Sequence, residues 1–323
     1  MPHAIRIHQT GGPDTMQWEE VDVGRPGPGQ VLVRNTAVGL NFIDVYHRTG
    51  LYPNPLPFTP GMEGAGVVEA IGPRVKAFKT GDRVAYASPI GSYAESCLRP
   101  VDRLVKIPAG IDDKVAAAIM LKGMTSWYLL RRTYKVRKGD TILVHAAAGG
   151  VGQILCQWAK HLGATVIGTV GSQDKATLAK KCGCRHVIVT PGENLVERVR
   201  AITKGKGVPV VYDGIGKDTF MGSLDCLAPL GLMVSFGNAS GPVTQFNPGV
   251  LAQKGSLFLT RPTLFNYTAK REDLLKAAKE LFAVVKKRAV QISINQTYPL
   301  HDAARAHSDL EGRRTTGSTV LLP

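Results

Sequence analysis

The run Thr141 to Gly163, TILVHAAAGGVGQILCQWAKHLG, constrains the fold of this chain more than any other segment. Thr141 to His145 is apolar and β-rich, and Ala147, Gly149 and Gly152 stand at the spacing of a G-x-G-x-x-G turn with alanine in the first place. A helix is predicted behind the turn. Val151, Ile154, Leu155, Trp158, Ala159 and Leu162 fall on one apolar face at helical period, and Gly163 stands where a left-handed residue ends a helix. Such a turn gathers bare backbone N–H groups and the positive end of a helix dipole at one point, which suits a pyrophosphate. With the strand before it and the helix after it, the run predicts a dinucleotide site.

The residues beyond the helix bear on which dinucleotide it is. An NAD site calls for an acidic residue about 20 residues on, at the end of the second strand, to bind a ribose hydroxyl. Here the second strand, Thr165 to Val170, runs into Gly171, Ser172, Gln173, Asp174 and Lys175. No carboxylate stands at the strand end, while a hydroxyl and an ammonium follow that suit a 2′-phosphate. NADP(H) is therefore expected, with Asp174 read as the cap of the next helix or, alternatively, as reaching a ribose hydroxyl.

From Thr141 to about Pro262, strands and helices alternate, the signature of a doubly wound parallel sheet with helices on both faces. Six strands are predicted, at Ile142 to His145, Thr165 to Val170, His186 to Val189, Val208 to Tyr212, Gly231 to Phe236 and Ser256 to Thr260. Helices are predicted at Glu193 to Thr203 and Lys217 to Leu227. The first 110 or so residues instead carry short β-rich segments punctuated by Gly and Pro, among them Gln30 to Val38, Gly64 to Ala70 and Asp82 to Tyr86. That suggests a compact barrel-like domain. The tail resumes with a helix around Arg271 to Arg288, a strand near Gln291 to Tyr298, a helix around Asp302 to Glu311 and a strand at Ser318 to Leu322.

Composition narrows the class. At 323 residues the chain is long enough for two domains, and no run approaches the length of a membrane-spanning helix. The first residues lack the apolar core of a signal peptide, so a cytoplasmic protein is expected. Cys97, Cys156, Cys182, Cys184 and Cys226 are scattered and odd in number, which does not make a disulfide framework. The net charge of +15 favours anionic ligands. Its basic residues are dispersed, without an RNA-binding motif, so a solvated basic surface is expected.

Taken in order, several segments resemble the medium-chain dehydrogenase/reductase superfamily, and within it the zinc-free quinone oxidoreductases related to zeta-crystallin. They are Gly12 to Val21, Asn41-Phe42-Ile43-Asp44-Val45-Tyr46, Arg48-Thr49-Gly50-Leu51-Tyr52, Pro60 to Gly66, Gly81 to Val84, Lys122 to Thr125 and the Ala147 to Gly152 turn. The resemblance spans essentially the whole chain. It implies an α/β architecture: a GroES-like β-barrel catalytic domain from residues 1–123 and 263–323, and a six-stranded Rossmann domain from residues 124–262. In that arrangement the cofactor lies between the domains.

Zinc members of the superfamily use a Cys near the position of Asn41 and a His in a GHExxG motif. This chain has Asn41 at the first and GMEGAG at the second, so Met62 replaces the His. No catalytic metal is expected, and Glu63 is read as a buried hydrogen-bonding acid. A quinone tolerates the loss of the metal, because hydride addition gives a phenolate-like anion whose conjugate acid has a pKa nearer about 10 than that of an aliphatic alcohol.

The resemblance implies catalytic roles for Asn41, donating through its amide, and for Tyr46 and Tyr52, supplying hydroxyls and aromatic walls. It implies cofactor contacts from Asn41, Asp44, Thr125 and Tyr128, from Gly149, Gly150, Val151 and Gly152 at the pyrophosphate, and from Ser172 and Lys175 at the 2′-phosphate. Phe236, Gly237 and Asn238 match the nicotinamide-side loop, and Arg313 a basic residue that closes over the cofactor. Thr190 departs from the family, where a tyrosine is expected.

The expected activity is NADPH-dependent reduction of a small quinone, by hydride transfer or by one-electron steps. Reduction of the C=C bond of a 2-alkenal or enone is the alternative. Zeta-crystallin relatives also carry an association with AU-rich RNA, which the charge permits as an additional role. The family further implies a homodimer joined through the Rossmann sheet edges.

Overall fold

The computed structural model describes residues 1–323, which divide into two compact units. The first unit comprises residues 1–124, 270–286 and 292–323, and the second residues 125–269 and 287–291.

The first unit opens with a two-stranded antiparallel sheet, β1 (His3–Ile7) and β2 (Met16–Glu20). The long strand β3 (Gln30–Leu40) leads into a short helix, α1 (Phe42–Arg48). Then come β4 (Glu63–Ile71), β5 (Arg83–Tyr86), β6 (Ser96–Pro100), β7 (Val105–Lys106) and α2 (Asp113–Tyr128), whose last turn, from Thr125, belongs to the second unit. The β segments predicted here are present, each displaced by one or two residues at its ends. Helix α1 was not predicted: at seven residues it is too short to show a periodic face.

The second unit holds β8 (Thr141–Val144), α3 (Gly150–His161), β9 (Thr165–Val170), α4 (Gln173–Lys181), β10 (His186–Val189), α5 (Leu195–Ile202) and β11 (Val208–Asp213). It continues through α6 (Phe220–Asp225), β12 (Leu227–Ser235), α7 (Gly249–Gln253), β13 (Phe258–Thr260) and α8 (Leu264–Tyr267). All six strands are parallel, in the order β10-β9-β8-β11-β12-β13. Counted from β8 this is 3-2-1-4-5-6, the doubly wound Rossmann order, whose direction reverses between β8 and β11. Ligands bind such sheets beyond the carboxyl ends of the strands at that reversal. Strand β12 starts four residues earlier than predicted, because its register with β11 shifts between Val208 and Val210 and Leu230 adopts a φ of 60°.

The tail supplies α9 (Arg271–Lys286), β14 (Ile294–Pro299), α10 (Ala303–Glu311) and β15 (Ser318–Leu322). Thr319, Val320 and Leu321 of β15 pair antiparallel with Leu40, Gly39 and Val38 of β3, so β3 is flanked along its length by β15, β4 and β6. The sheet order is β14-β15-β3-β4-β5-β7, with β6 on β3. The end of β3, where Asn41 follows, is thus held between β15 and β4. No helix of the chain is long and apolar enough to cross a membrane.

Candidate functional site

In the second unit, β8 is buried from Ile142 to Val144 and delivers the chain to the reversal point. Ala146 takes a left-handed φ of 50°, and α3 begins after Gly149, a cap with no side-chain hydrogen bond. The N–H groups of Gly150, Val151 and Gly152 therefore stand at a helix start that the protein itself leaves uncapped. Gln153 holds the turn from beneath, its Nε2 donating to the Ala148 carbonyl at 2.8 Å. A Cβ on Gly152 would lie 2.8 Å from the Ala147 Cα, so glycine is what lets α3 pack this close to the turn. The apolar face of α3 then buries Ile154, Leu155 and Trp158, worth roughly 1.5–3 kcal/mol apiece.

Beyond β9, Ser172 is the cap of α4, its Oγ accepting from the Lys175 N–H at 3.5 Å. Asp174 does not cap: it sits exposed in the first turn of α4, a correction to the sequence reading that follows from the better placed hydroxyl two residues earlier. Lys175 is half-buried on the same turn. Thr190 is exposed at the end of β10 with its Oγ1 3.3 Å from the Val170 carbonyl.

The loops after β11 and β12 are tied together. Phe236 N–H donates to the Asp213 carbonyl at 2.8 Å, and a Cβ on Gly237 would come within 2.9 Å of the Gly214 Cα. Asp213 itself, fully buried, accepts from the N–H groups of Ile215 and Gly216 and from the Thr219 and Ser223 hydroxyls. His145 continues this network, with Nδ1 2.9 Å from Thr169 Oγ1 and Nε2 2.9 Å from Ser223 Oγ. Burial lowers its pKa. These groups shape the loops that carry Phe236, Gly237 and Asn238. Tyr128 is buried and stacked on Tyr267 at 4.5 Å, and burial raises its pKa; Thr125 is half-buried one turn earlier.

In the first unit the centre is Asn41, between β3 and α1 and only 6% exposed. Its amide nitrogen, which the sequence reading offers to substrate, is committed to Glu63: Nδ2 donates to Oε1 at 2.8 Å. Glu63 is wholly buried and also accepts from Lys122 Nζ at 2.8 Å and from the Leu121 N–H at 2.6 Å. Met62, next to Glu63, is buried in the core. Asp44 is also wholly buried; its Oδ2 accepts from the Asn41 N–H at 2.9 Å and from the Tyr93 hydroxyl at 3.0 Å. Its carboxylate thus holds the start of α1 and offers no ligand-facing surface. Tyr46 and Tyr52 meet edge to face at 5.2 Å, with Phe42 5.7 Å from Tyr46. Arg313 is exposed after α10 with a φ of 58°.

Sequence reasoning brought Asn41, Tyr46 and Tyr52 to one short segment but gave Lys122 no partner. The residues that fix the loops of the second unit, Asp213 foremost, were not singled out. Their signal was an aspartate ending a strand just before Gly214-Ile215-Gly216, where its carboxylate can collect the turn's N–H groups.

Comparison with known proteins agrees with this geometry. Residues 27–109 match the alcohol dehydrogenase GroES-like domain, and residues 150–280 match the family described as zinc-binding dehydrogenase. The quinone oxidoreductase of Pseudomonas aeruginosa is 55% identical over 325 residues, covering 100% of each chain. The chain belongs to the quinone oxidoreductases of the medium-chain dehydrogenase/reductase superfamily. A solved quinone oxidoreductase of Escherichia coli, complexed with NADPH, superposes with a TM-score of 0.98 at 50% identity, covering 99% of this chain and 100% of that one. Within the same range of similarity stands the 2-haloacrylate reductase of a Burkholderia species, 50% identical over 334 residues and covering 100% of this chain and 99% of that protein. Relatives at similar identity thus carry two different names, quinone oxidoreductase and 2-haloacrylate reductase.

Proposed function

We propose that this chain is an NADPH-dependent quinone reductase that works without metal or flavin. The observation that carries the reading is the uncapped start of α3 behind Gly149, at the carboxyl end of β8, in a chain half identical to a quinone oxidoreductase solved with NADPH. On the second unit, the N–H groups of Gly150, Val151 and Gly152 would hold the pyrophosphate, and Ser172 and Lys175 the 2′-phosphate. The Phe236-Gly237-Asn238 loop and the Thr125 to Tyr128 turn serve the nicotinamide half. On the first unit, Asn41 and Arg313 are the candidate cofactor contacts, with Asp44 acting through the backbone of Asn41.

Bound NADPH would supply the hydride. Tyr52, half-buried, offers aromatic surface suited to a quinone ring, and the buried Tyr46 packs edge to face against it as the wall behind. The surroundings of Glu63 support a metal-free reaction: an amide N–H, an ammonium and a backbone N–H converge on its carboxylate, which is the environment of a satisfied anion and the wrong polarity for a cation site. We further propose a homodimer joined through the edge of the Rossmann sheet.

A second reading, reduction of an activated C=C bond, is favoured by the 2-haloacrylate reductase relative. Loss of NADPH absorbance, followed in parallel with ortho-quinones, 2-alkenals and 2-haloacrylate, separates the two. Turnover of quinones at the higher kcat/KM is expected; turnover of alkenes alone would sink the quinone reading.

A further inference from the structure

The polarity of Asn41 is set from below. An amide has two faces, and which one it shows depends on what the other is bonded to. Glu63 Oε1 is an acceptor, so only the amide nitrogen can face it, and the observed 2.8 Å bond fixes that choice. The Gly39 carbonyl, 3.5 Å from the same nitrogen, lies on the side of the second amide hydrogen. Glu63 cannot turn away: Lys122 shares its Oε1, and the Leu121 N–H holds its Oε2. Lys122 is 6% exposed, so its charge is balanced here and not by water. With the nitrogen spent, the polar atom left to Asn41 is Oδ1, which can only accept: one lone pair takes the Asp44 N–H in the capping box of α1, and the second is left for a ligand.

We propose that Glu63 and Lys122 are positioning residues that lock the Asn41 amide with its nitrogen inward, making Asn41 a hydrogen-bond acceptor for an N–H or O–H group of the nicotinamide riboside and not a donor to the substrate oxygen. The proposal rests on the NADPH reading above. It assigns the quinone's anion to other donors and gives Asn41 the task of orienting the cofactor ring. It also explains a buried ion pair beside a site that uses neither charge directly.

The test is a pairwise exchange of Asn41→Asp and Glu63→Gln. Asn41→Asp sets two carboxylates against each other, and Glu63→Gln lets the Asn41 amide turn over. Each single variant is expected to lose at least about tenfold in kcat/KM with a quinone and to bind NADPH more weakly. In the double variant the carboxylate moves to position 41, the amide introduced at position 63 donates to it, Lys122 keeps an anion nearby, and residue 41 is again an acceptor. Recovery above both single variants, in turnover and in NADPH affinity, is the expected result.

A double variant that melts like wild type yet is as inactive as Asn41→Asp would show that a donor is needed at position 41 and would overturn the proposal. So would a Glu63→Gln variant indistinguishable from wild type. If the double variant melts well below wild type, Glu63→Gln decides the matter by titration with NADPH and with 2′,5′-ADP. Weakening confined to NADPH supports positioning of the nicotinamide half, and equal weakening of both ligands overturns it. A wild-type protein that binds NADPH in none of these assays would remove the parent reading as well, a failure distinct from that of the exchange.

Discussion

Gly39 lies opposite Glu63 in the β3–β4 ladder, and the Glu63 side chain occupies the space that a side chain on Gly39 would need. A Cβ there would fall 2.5 Å from Glu63 Cγ and would overlap the Ala117 carbonyl oxygen as well. One neighbour is backbone and the other is the buried carboxylate that holds Asn41 and Lys122, so neither yields cheaply. Gly39→Ala is expected to cost about 3 kcal/mol or more, the range for breaking a buried ion pair. Urea denaturation checks this, and a variant within about 1 kcal/mol of wild type would show that the pair tolerates displacement.

The buried ionisable groups around α1 predict an uneven dependence of stability on pH. Burial pushes Asp44 up to about 7, with Glu63 adding to the effect, while the Asn41 N–H, the Tyr93 hydroxyl and Lys122 oppose it. A carboxyl whose folded pKa exceeds its unfolded value of about 4 binds more protons folded than unfolded. Its contribution is therefore full below pH 4 and is lost as pH rises towards 7, on the order of 4 kcal/mol in all. Burial pushes His47 down to about 4 and His307 to about 3, the latter also facing Arg48 and hydrogen-bonded to the Tyr93 hydroxyl. These two bind fewer protons folded, so their contribution is lost as pH falls below about 6.5. Over the acid range the two histidines together gain more than Asp44 loses, so the three groups make stability rise with pH and level off near pH 7. Asp44→Asn should remove the opposing loss and steepen this rise, so that the variant gains on wild type between pH 5 and pH 8; urea midpoints across that range that move in parallel would refute the assignment.

How legible this chain was depended on the range of the interactions. The Rossmann half follows from local pattern: parallel strands buried on both faces read as apolar runs, and α3 shows its face at helical period. The Asn41 cluster has no such pattern. Glu63 and Lys122 are 22 and 59 residues from their partners, brought together by β3–β4 pairing and by α2. The sequence showed a glutamate between Met62 and Gly64 and a lysine before Gly123, but nothing local states that the two meet. The amide orientation of Asn41, on which its chemistry turns, is a property of that meeting and became readable only with the structure.

The two glycines of the turn should fail differently. Gly152 has backbone beneath it, so Gly152→Ala must push α3 off the turn, lowering the melting temperature and abolishing NADPH binding together. Gly149 has a φ of −78° and only the Ala146 carbonyl near, 3.2 Å from a Cβ. Gly149→Ala should therefore melt close to wild type while binding NADPH several-fold more weakly, because the added methyl would stand where the proposed pyrophosphate site lies. Calorimetry and NADPH titration on both variants check the contrast. Equal effects on fold and binding in both would mean that the turn is purely structural.

Specificity for the 2′-phosphate is expected to reside in the first turn of α4. Lys175→Ala removes a cation but leaves the Ser172 cap, which bonds to the backbone of residue 175 and not to its side chain. The KM for NADPH should rise about tenfold with little change for NADH, the signature of a lost charge-assisted contact to one phosphate. A proportional rise for both cofactors would place the lysine's role in the fold of α4.

The outer edge of the Rossmann sheet predicts the assembly. Strand β13 pairs with β12 on one side only, and Phe258 and Leu259 on it are 60% and 36% exposed. Leu230, 67% exposed, donates its N–H to the Gly255 carbonyl just before this strand, so three apolar side chains gather at an open edge. Open edges are ordinarily shielded by charge, proline or a bulge, and this one presents apolar residues instead, as an edge that pairs with a second copy would. The protein is therefore expected to have the mass of two chains in light scattering, and Phe258→Lys with Leu259→Lys the mass of one. A wild-type mass of one chain would sink the homodimer, and a doubly substituted protein still at twice that mass would move the interface elsewhere. Because β13 lies five strands from β10 and two from β11, separation of the subunits should leave the α3 turn intact, and the monomer should still bind NADPH.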